Sequence, residues 1–171
     1  MEKTCVMGTK SKVGILVACL MMLGVLAASA VPWPIAMSAD GGTVYSRTIT
    51  VNSGQVPSTQ TDFPMLVSLS DATLRDASHG GHVAGSSGAD IYFTNSSGTT
   101  QYPYEIEMYD GSAGTMVAWV KVPSLADGTA VKMCYGGSGG AANTPSNVWT
   151  NGFQGVWHMA QINPLDSTSN G

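Results

Sequence analysis

Between Phe63 and Tyr135 the side chains alternate in steps of two, and this constrains the fold more than any other feature of the chain. Phe63, Met65, Val67 and Leu69 alternate with Pro64, Leu66, Ser68 and Ser70. A period of two is the mark of a strand with one face buried. Tyr102, Tyr104, Ile106 and Met108 alternate with Pro103, Glu105, Glu107 and Tyr109, and Ala118, Val120 and Val122 with Val117, Trp119 and Lys121. Shorter runs lie at 45–51, where Ile49 and Val51 share a side, at 91–93 and at 131–135. Turn-forming residues separate them: Asn95-Ser96-Ser97-Gly98, Asp110 to Thr115, and Gly136 to Gly140. Ser70 to Leu74 can cap one or two helical turns through Ala77. Short strands at regular spacing predict an all-β chain, an antiparallel β-sandwich of jelly-roll type with at most one short helix. No internal repeat is present.

The two central runs predict a hairpin and its register. A slip of one residue would turn a strand inside out, so only one parity keeps both apolar faces together. The simplest such register opposes Met108 to Ala118, Ile106 to Val120 and Tyr104 to Val122. Its outer face then opposes Glu105 to Lys121 and Glu107 to Trp119, with Tyr109 on that same face.

Before this domain comes a leader. Lys3, Lys10 and Lys12 make the first residues basic, and the eighteen residues from Val13 to Ala30 carry no charge. With Ala28-Ser29-Ala30 behind it, the stretch is a secretory signal peptide that forms a signal helix. Cleavage is expected after Ala30, with Ala39 as the second choice. An uncleaved membrane anchor is an alternative, since the apolar run nearly spans a bilayer. Leu16-Val17-Ala18-Cys19 offers a third, a lipid-modified cysteine. All three place the protein outside the cytoplasm, secreted or at the cell surface, with membrane contact only through a retained leader.

Beyond Ala30, four basic residues face ten acidic ones, a net charge of −6 with histidines neutral. Such a surface repels phosphate backbones, which excludes nucleic acid as a partner. Cys5 and Cys19 belong to the leader, so Cys134 is expected to stand alone and the core to hold by packing. The expected organisation is a signal peptide at 1–30, a spacer at 31–43, the β-sandwich at 44–137, a Gly/Ala/Ser/Asn-rich linker at 138–147, and 148–171 as the start of a second module.

Candidate sites are few. Glu105 and Glu107 lie on one strand face about 7 Å apart. Inverting glycosidases hold their carboxyl pair ~6.5–9.5 Å apart, so hydrolysis is admissible, but a solvated face with Glu105 paired to Lys121 is the commoner outcome. Tyr109 and Trp119 on the same face can stack on sugar rings. These four residues are the candidate ligand contacts, and no catalytic residue is assigned. His79-Gly80-Gly81-His82 offers two imidazoles, but zinc takes three or four ligands, so no metal site is assigned. Asp166 can contribute to a calcium site completed by a C-terminal module; no other cofactor is implied. Asn95-Ser96-Ser97 fits a glycosylation sequon.

Thr61-Asp62-Phe63-Pro64-Met65-Leu66-Val67-Ser68-Leu69, Ala89-Asp90-Ile91-Tyr92-Phe93-Thr94, Tyr104-Glu105-Ile106-Glu107, Ala118-Trp119-Val120-Lys121-Val122-Pro123 and Met133-Cys134-Tyr135-Gly136-Gly137 occur in this order. Together they resemble a family of exported prokaryotic proteins, domain of unknown function 2341. Cys134 stands where the family shows a second tyrosine. The segments Val148-Trp149, Gly155 to Met159 and Asp166 to Gly171 resemble the opening of a laminin-G-like or concanavalin-A-like jelly roll that commonly follows, so the chain is expected to be a fragment. The resemblance implies no catalytic residue. By association it implies a non-enzymatic, lectin-like surface module for binding or adhesion, with polysaccharide or surface glycan as ligand. The rivals are an accessory domain of a secreted polysaccharide-degrading enzyme and a structural spacer.

Overall fold

The computed structural model describes residues 44–140, 145–159 and 164–170; the expected leader and spacer lie outside them. Among the described residues no helix is long and apolar enough to cross a membrane. Six strands run in chain order: β1 (Tyr45–Thr50), β2 (Gln60–Ser70), β3 (Tyr92–Asn95), β4 (Tyr104–Asp110), β5 (Thr115–Leu125) and β6 (Ala130–Tyr135). They form two three-stranded antiparallel sheets, β1-β6-β3 and β2-β5-β4. This is the all-β sandwich that the alternation predicts.

Each sheet turns one set of alternating side chains inward. Met116, Ala118, Val120 and Val122 of β5 are buried, as are Val131, Met133 and Tyr135 of β6. They join Val67, Phe93 and Tyr104 in one core, where the Phe93 and Tyr104 rings meet edge to face at 5.5 Å. On β2 the expected phase holds, since Phe63, Met65, Val67 and Leu69 face Val122, Val120, Ala118 and Met116. Ile91, Tyr92, Phe93 and Thr94 are all buried, so the run at β3 is covered on both sides.

The helical turns expected after β2 are two 3-10 turns, Ala72–Leu74 and Ala77–His79. Asp71 caps the first by accepting from Thr73 N and Oγ1 at 2.8 and 2.7 Å, and it pairs with the Arg47 guanidinium. The hydrogen bonds from Thr73, and then Arg47, hold its carboxyl down at about 2. Leu74, at the end of this turn, is fully buried and anchors the connection to the core.

Two expectations change. The β4–β5 hairpin keeps the predicted parity but is shifted by two residues, with Tyr104 opposite Val120, Glu105 opposite Trp119 and Ile106 opposite Ala118. A β-bulge then falls between Ile106 and Met108, so Met108 opposes Val117 and Tyr109 opposes Met116. The extra residue reverses the phase. Tyr109 therefore turns into the sandwich instead of onto the outer face, and Met108 is exposed. Tight packing of the following turn explains the shift: the β4–β5 connection closes at Gly114, whose φ is +73° and whose carbonyl accepts from Asp71 N at 2.9 Å. Cys134, expected to stand alone, is buried and disulfide-bonded.

Candidate functional site

The outer face of the β2-β5-β4 sheet carries Pro64 and Leu66 from β2, Trp119 and Lys121 from β5, and Glu105 and Glu107 from β4. The expected Glu105–Lys121 pair is not formed, because Glu105 opposes Trp119 and the Lys121 ammonium donates to Thr150 Oγ1 at 3.0 Å. The C-terminal segment crosses this face strand by strand. The 3-10 turn Pro145–Asn147 lies against β4, Trp149 sits over Trp119 at 5.2 Å between ring centroids, and Asn151 Nδ2 reaches Thr61 O at 3.3 Å on β2. The chain then turns back. Ser167 N donates to Val156 O, Trp157 bridges Asp166, and Asp166 Oδ1 accepts from Val156 N and Thr168 N at 2.9 and 3.0 Å. Those backbone donors, Val156 first, hold the Asp166 carboxyl below its usual range.

Glu105 is the hub of this arrangement. It is only 8% exposed, and a carboxylate so buried requires hydrogen-bond donors. Among the described residues its donors all come from the C-terminal segment: Trp149 Nε1 at 2.7 Å and His158 Nε2 at 3.1 Å on Oε2, and Ser167 Oγ at 2.7 Å on Oε1. Glu107 is committed through one oxygen. Its Oε2 accepts from Trp119 Nε1 at 2.8 Å and faces His158 Nδ1 at 3.3 Å. Its Oε1 has no partner among the described residues. The His158 ring thus spans both carboxylates, bonding one when a single nitrogen carries hydrogen and both when each does.

Between sheet and segment lies a cleft of about 420 Å³. Its floor is Glu105, Ile106 and Glu107, and every other wall comes from the C-terminal segment, including His158, Leu165 and Ser167.

Three of the four candidate ligand contacts, Glu105, Glu107 and Trp119, are therefore gathered in one place. Tyr109 is not with them: its hydroxyl donates to Leu74 O at 2.7 Å inside the sandwich. Burial, reinforced by the charges of Asp76 and Asp90, pushes its phenol up to about 12. Trp149, His158 and Ser167 escaped the sequence-based candidates because their segment resembles the start of another module. The available signal was an aromatic- and histidine-bearing stretch following two carboxylates on one strand face.

The two loop histidines separate. His79 Nδ1 meets Asp76 Oδ1 at 2.9 Å, whereas His82 stacks on Tyr45 at 4.1 Å. Ser78 Oγ also meets His79 Nδ1, at 3.2 Å. Serine and aspartate thus share one ring nitrogen, while a nucleophilic triad needs them on opposite nitrogens. Among the described residues no group of three or more His, Cys, Asp or Glu is placed to hold a metal ion. Both Asp166 oxygens are spent within the segment, Oδ2 accepting from Thr168 Oγ1 at 3.0 Å. Asn95, the sequon residue, is the hub of its own turn, where Oδ1 accepts from Thr99 N at 2.9 Å.

Fold and cleft define a class, a two-sheet β module with a carboxylate- and histidine-lined cleft roofed by its own C-terminal segment. A family model described as "Domain of unknown function (DUF2341)" matches residues 87–154. The match supports the resemblance carried by Ala89–Thr94, Tyr104–Glu107, Ala118–Pro123 and Met133–Gly137, and it runs on through Trp149 and Phe153. No curated protein matches the chain, and no solved structure does.

Proposed function

We propose that the protein is an exported surface-binding module that takes a polyhydroxylated ligand, a polysaccharide or surface glycan, in the cleft beside Glu107 and performs no chemistry on it. The observation that carries this reading is the uncommitted Glu107 Oε1 in a cleft where the neighbouring carboxylates have spent their acceptors. A lone acceptor oxygen suits a sugar hydroxyl, and the apolar walls at Ile106, Pro164 and Leu165 suit the faces of a sugar ring. An acidic cleft on an acidic chain disfavours uronic acids and phosphates. The leader supports export to the cell surface or medium, and mass spectrometry of the secreted N-terminus locates cleavage at Ala30 or Ala39 or shows retention.

The test is a polysaccharide panel applied to the full secreted chain. Neutral glycans are expected to bind, and Glu107→Gln to weaken binding roughly ten- to a hundredfold, the range for a hydrogen bond to a charged group. Absence of binding to every member sinks the proposal and favours the structural spacer. An accessory domain of a polysaccharide-degrading enzyme is the other alternative. Against catalysis at Glu105 and Glu107 themselves stands the chemistry of Glu105. Trp149, His158 and Ser167 close over it, so a glycosidic oxygen would have to displace one of them to reach its carboxyl. Release of reducing sugar that disappears in Glu105→Gln would restore the hydrolase.

A further inference from the structure

We infer that the outer face of the β2-β5-β4 sheet is the docking surface for the chain's own C-terminal segment, as described over residues 145–159 and 164–170, with Glu105 as the positioning residue that latches it. The segment is thereby an integral layer of this domain and not the opening of a separate one.

Four observations carry this. Val148 and Trp149 are buried to 0% and 5% exposure, as core residues are, although they lie beyond the Gly-rich stretch at 136–140. Contacts along the segment follow the strand order of the sheet, from β4 at Pro145–Asn147 to Lys121 on β5 and Thr61 on β2. Among the described residues Glu105 has donors only from this segment, so undocking would leave its carboxylate to water and return three donors to solvent. Finally, the family match extends from residue 87 past the expected linker to residue 154.

The chemistry of the latch is specific. A carboxylate only accepts, and it can satisfy an indole N–H, an imidazole N–H and a serine O–H at once. A glutamine loses the charge and keeps one acceptor oxygen for the indole and imidazole, while its amide N–H forces the Ser167 hydroxyl to turn from donor to acceptor. Its isosteric replacement therefore tests the latch with little change of shape. Because the cleft takes most of its wall from the segment, Glu105 also assembles the site without needing to touch a ligand. The latch stands independently of what the cleft binds.

Hydrogen exchange of the full chain reads this directly, without ligand. In Glu105→Gln the amides of residues 148–158 are expected to exchange roughly ten- to a hundredfold faster, as the loss of a charge-assisted hydrogen bond predicts, while those of β5 and β6 keep their protection. Unchanged exchange at 148–158 overturns the latch. A parallel rise in β5 and β6 overturns it too, because Glu105 would then support the whole sandwich. Should Glu105→Gln fail to fold, Trp149→Phe and Ser167→Ala each remove one donor. Either is expected to loosen the same amides by a smaller factor, and no loosening in both overturns the proposal. If no glycan binds but these amides respond, the binding reading falls and the latch remains.

Discussion

Glu105 and Glu107 are two residues apart on one strand, and surroundings alone give them different parts. Three donors close over Glu105, whereas Glu107 keeps one oxygen for whatever enters the cleft. Tyr109 shows the same dependence on surroundings. A phenol pushed up to about 12 stays neutral where an unfolded tyrosine ionises at ~10. Its folded value is raised, so its contribution is fully present below pH ~10 and is lost as pH rises toward about 12. Tyr109→Phe removes the bond to the Leu74 carbonyl, which is buried with its residue, and should cost ~1–2 kcal/mol of unfolding free energy in a denaturant titration. A Tyr109→Phe protein as stable as the wild type would place this hydroxyl in water.

At the scale of elements, the β4–β5 hairpin decides which residues meet. Alternation puts Glu105 and Glu107 together outside, and the bulge after Ile106 sends Tyr109 inside. Gly114 closes the turn at φ +73°, and an added Cβ would lie 2.3 Å from the Asp71 carbonyl oxygen. Gly114→Ala should therefore lower stability by more than about 1 kcal/mol, seen as a reduced Tm, whereas the same change at Gly54, with open space around it, should cost less. Alternation made the strands and their inner faces legible, since Ala118, Val120 and Val122 on β5 and Val131, Met133 and Tyr135 on β6 can be buried only in one phase. It could not reveal the bulge, because one inserted residue leaves Ile106, Met108 and Tyr109 as apolar as before. Nor could it show that Trp149 and His158 return to Glu105, for that contact links positions 44 residues or more apart through no periodic pattern.

Over the whole molecule, loop carboxylates serve as acceptors for backbone and side-chain donors. Asp127 accepts from Gly54, Gln55 and Val56, and Asp110 from Ser112 and Ala113. Donors of this kind hold Asp71, Asp76, Asp110, Asp127 and Asp166 below their usual range, Asp71 at about 2. Because the folded values are depressed, the stability they give is present above pH ~4 and is lost as pH falls through the folded values toward about 2. Circular dichroism should show a broad loss of thermal stability across that window, and a melting temperature constant from pH 5 to 2 would contradict it. The C-terminal layer belongs to the same scale, since it turns an open sheet face into a roofed cleft.

Indole resonances of the full chain, labelled at tryptophan and titrated with neutral oligosaccharides, test the binding cleft most directly. Trp119 and Trp149 donate to Glu107 and Glu105, so ligand at Glu107 Oε1 should shift both resonances saturably, and Glu107→Gln should weaken the response roughly ten- to a hundredfold. Resonances that no sugar moves, or that move as readily in Glu107→Gln, would contradict the account.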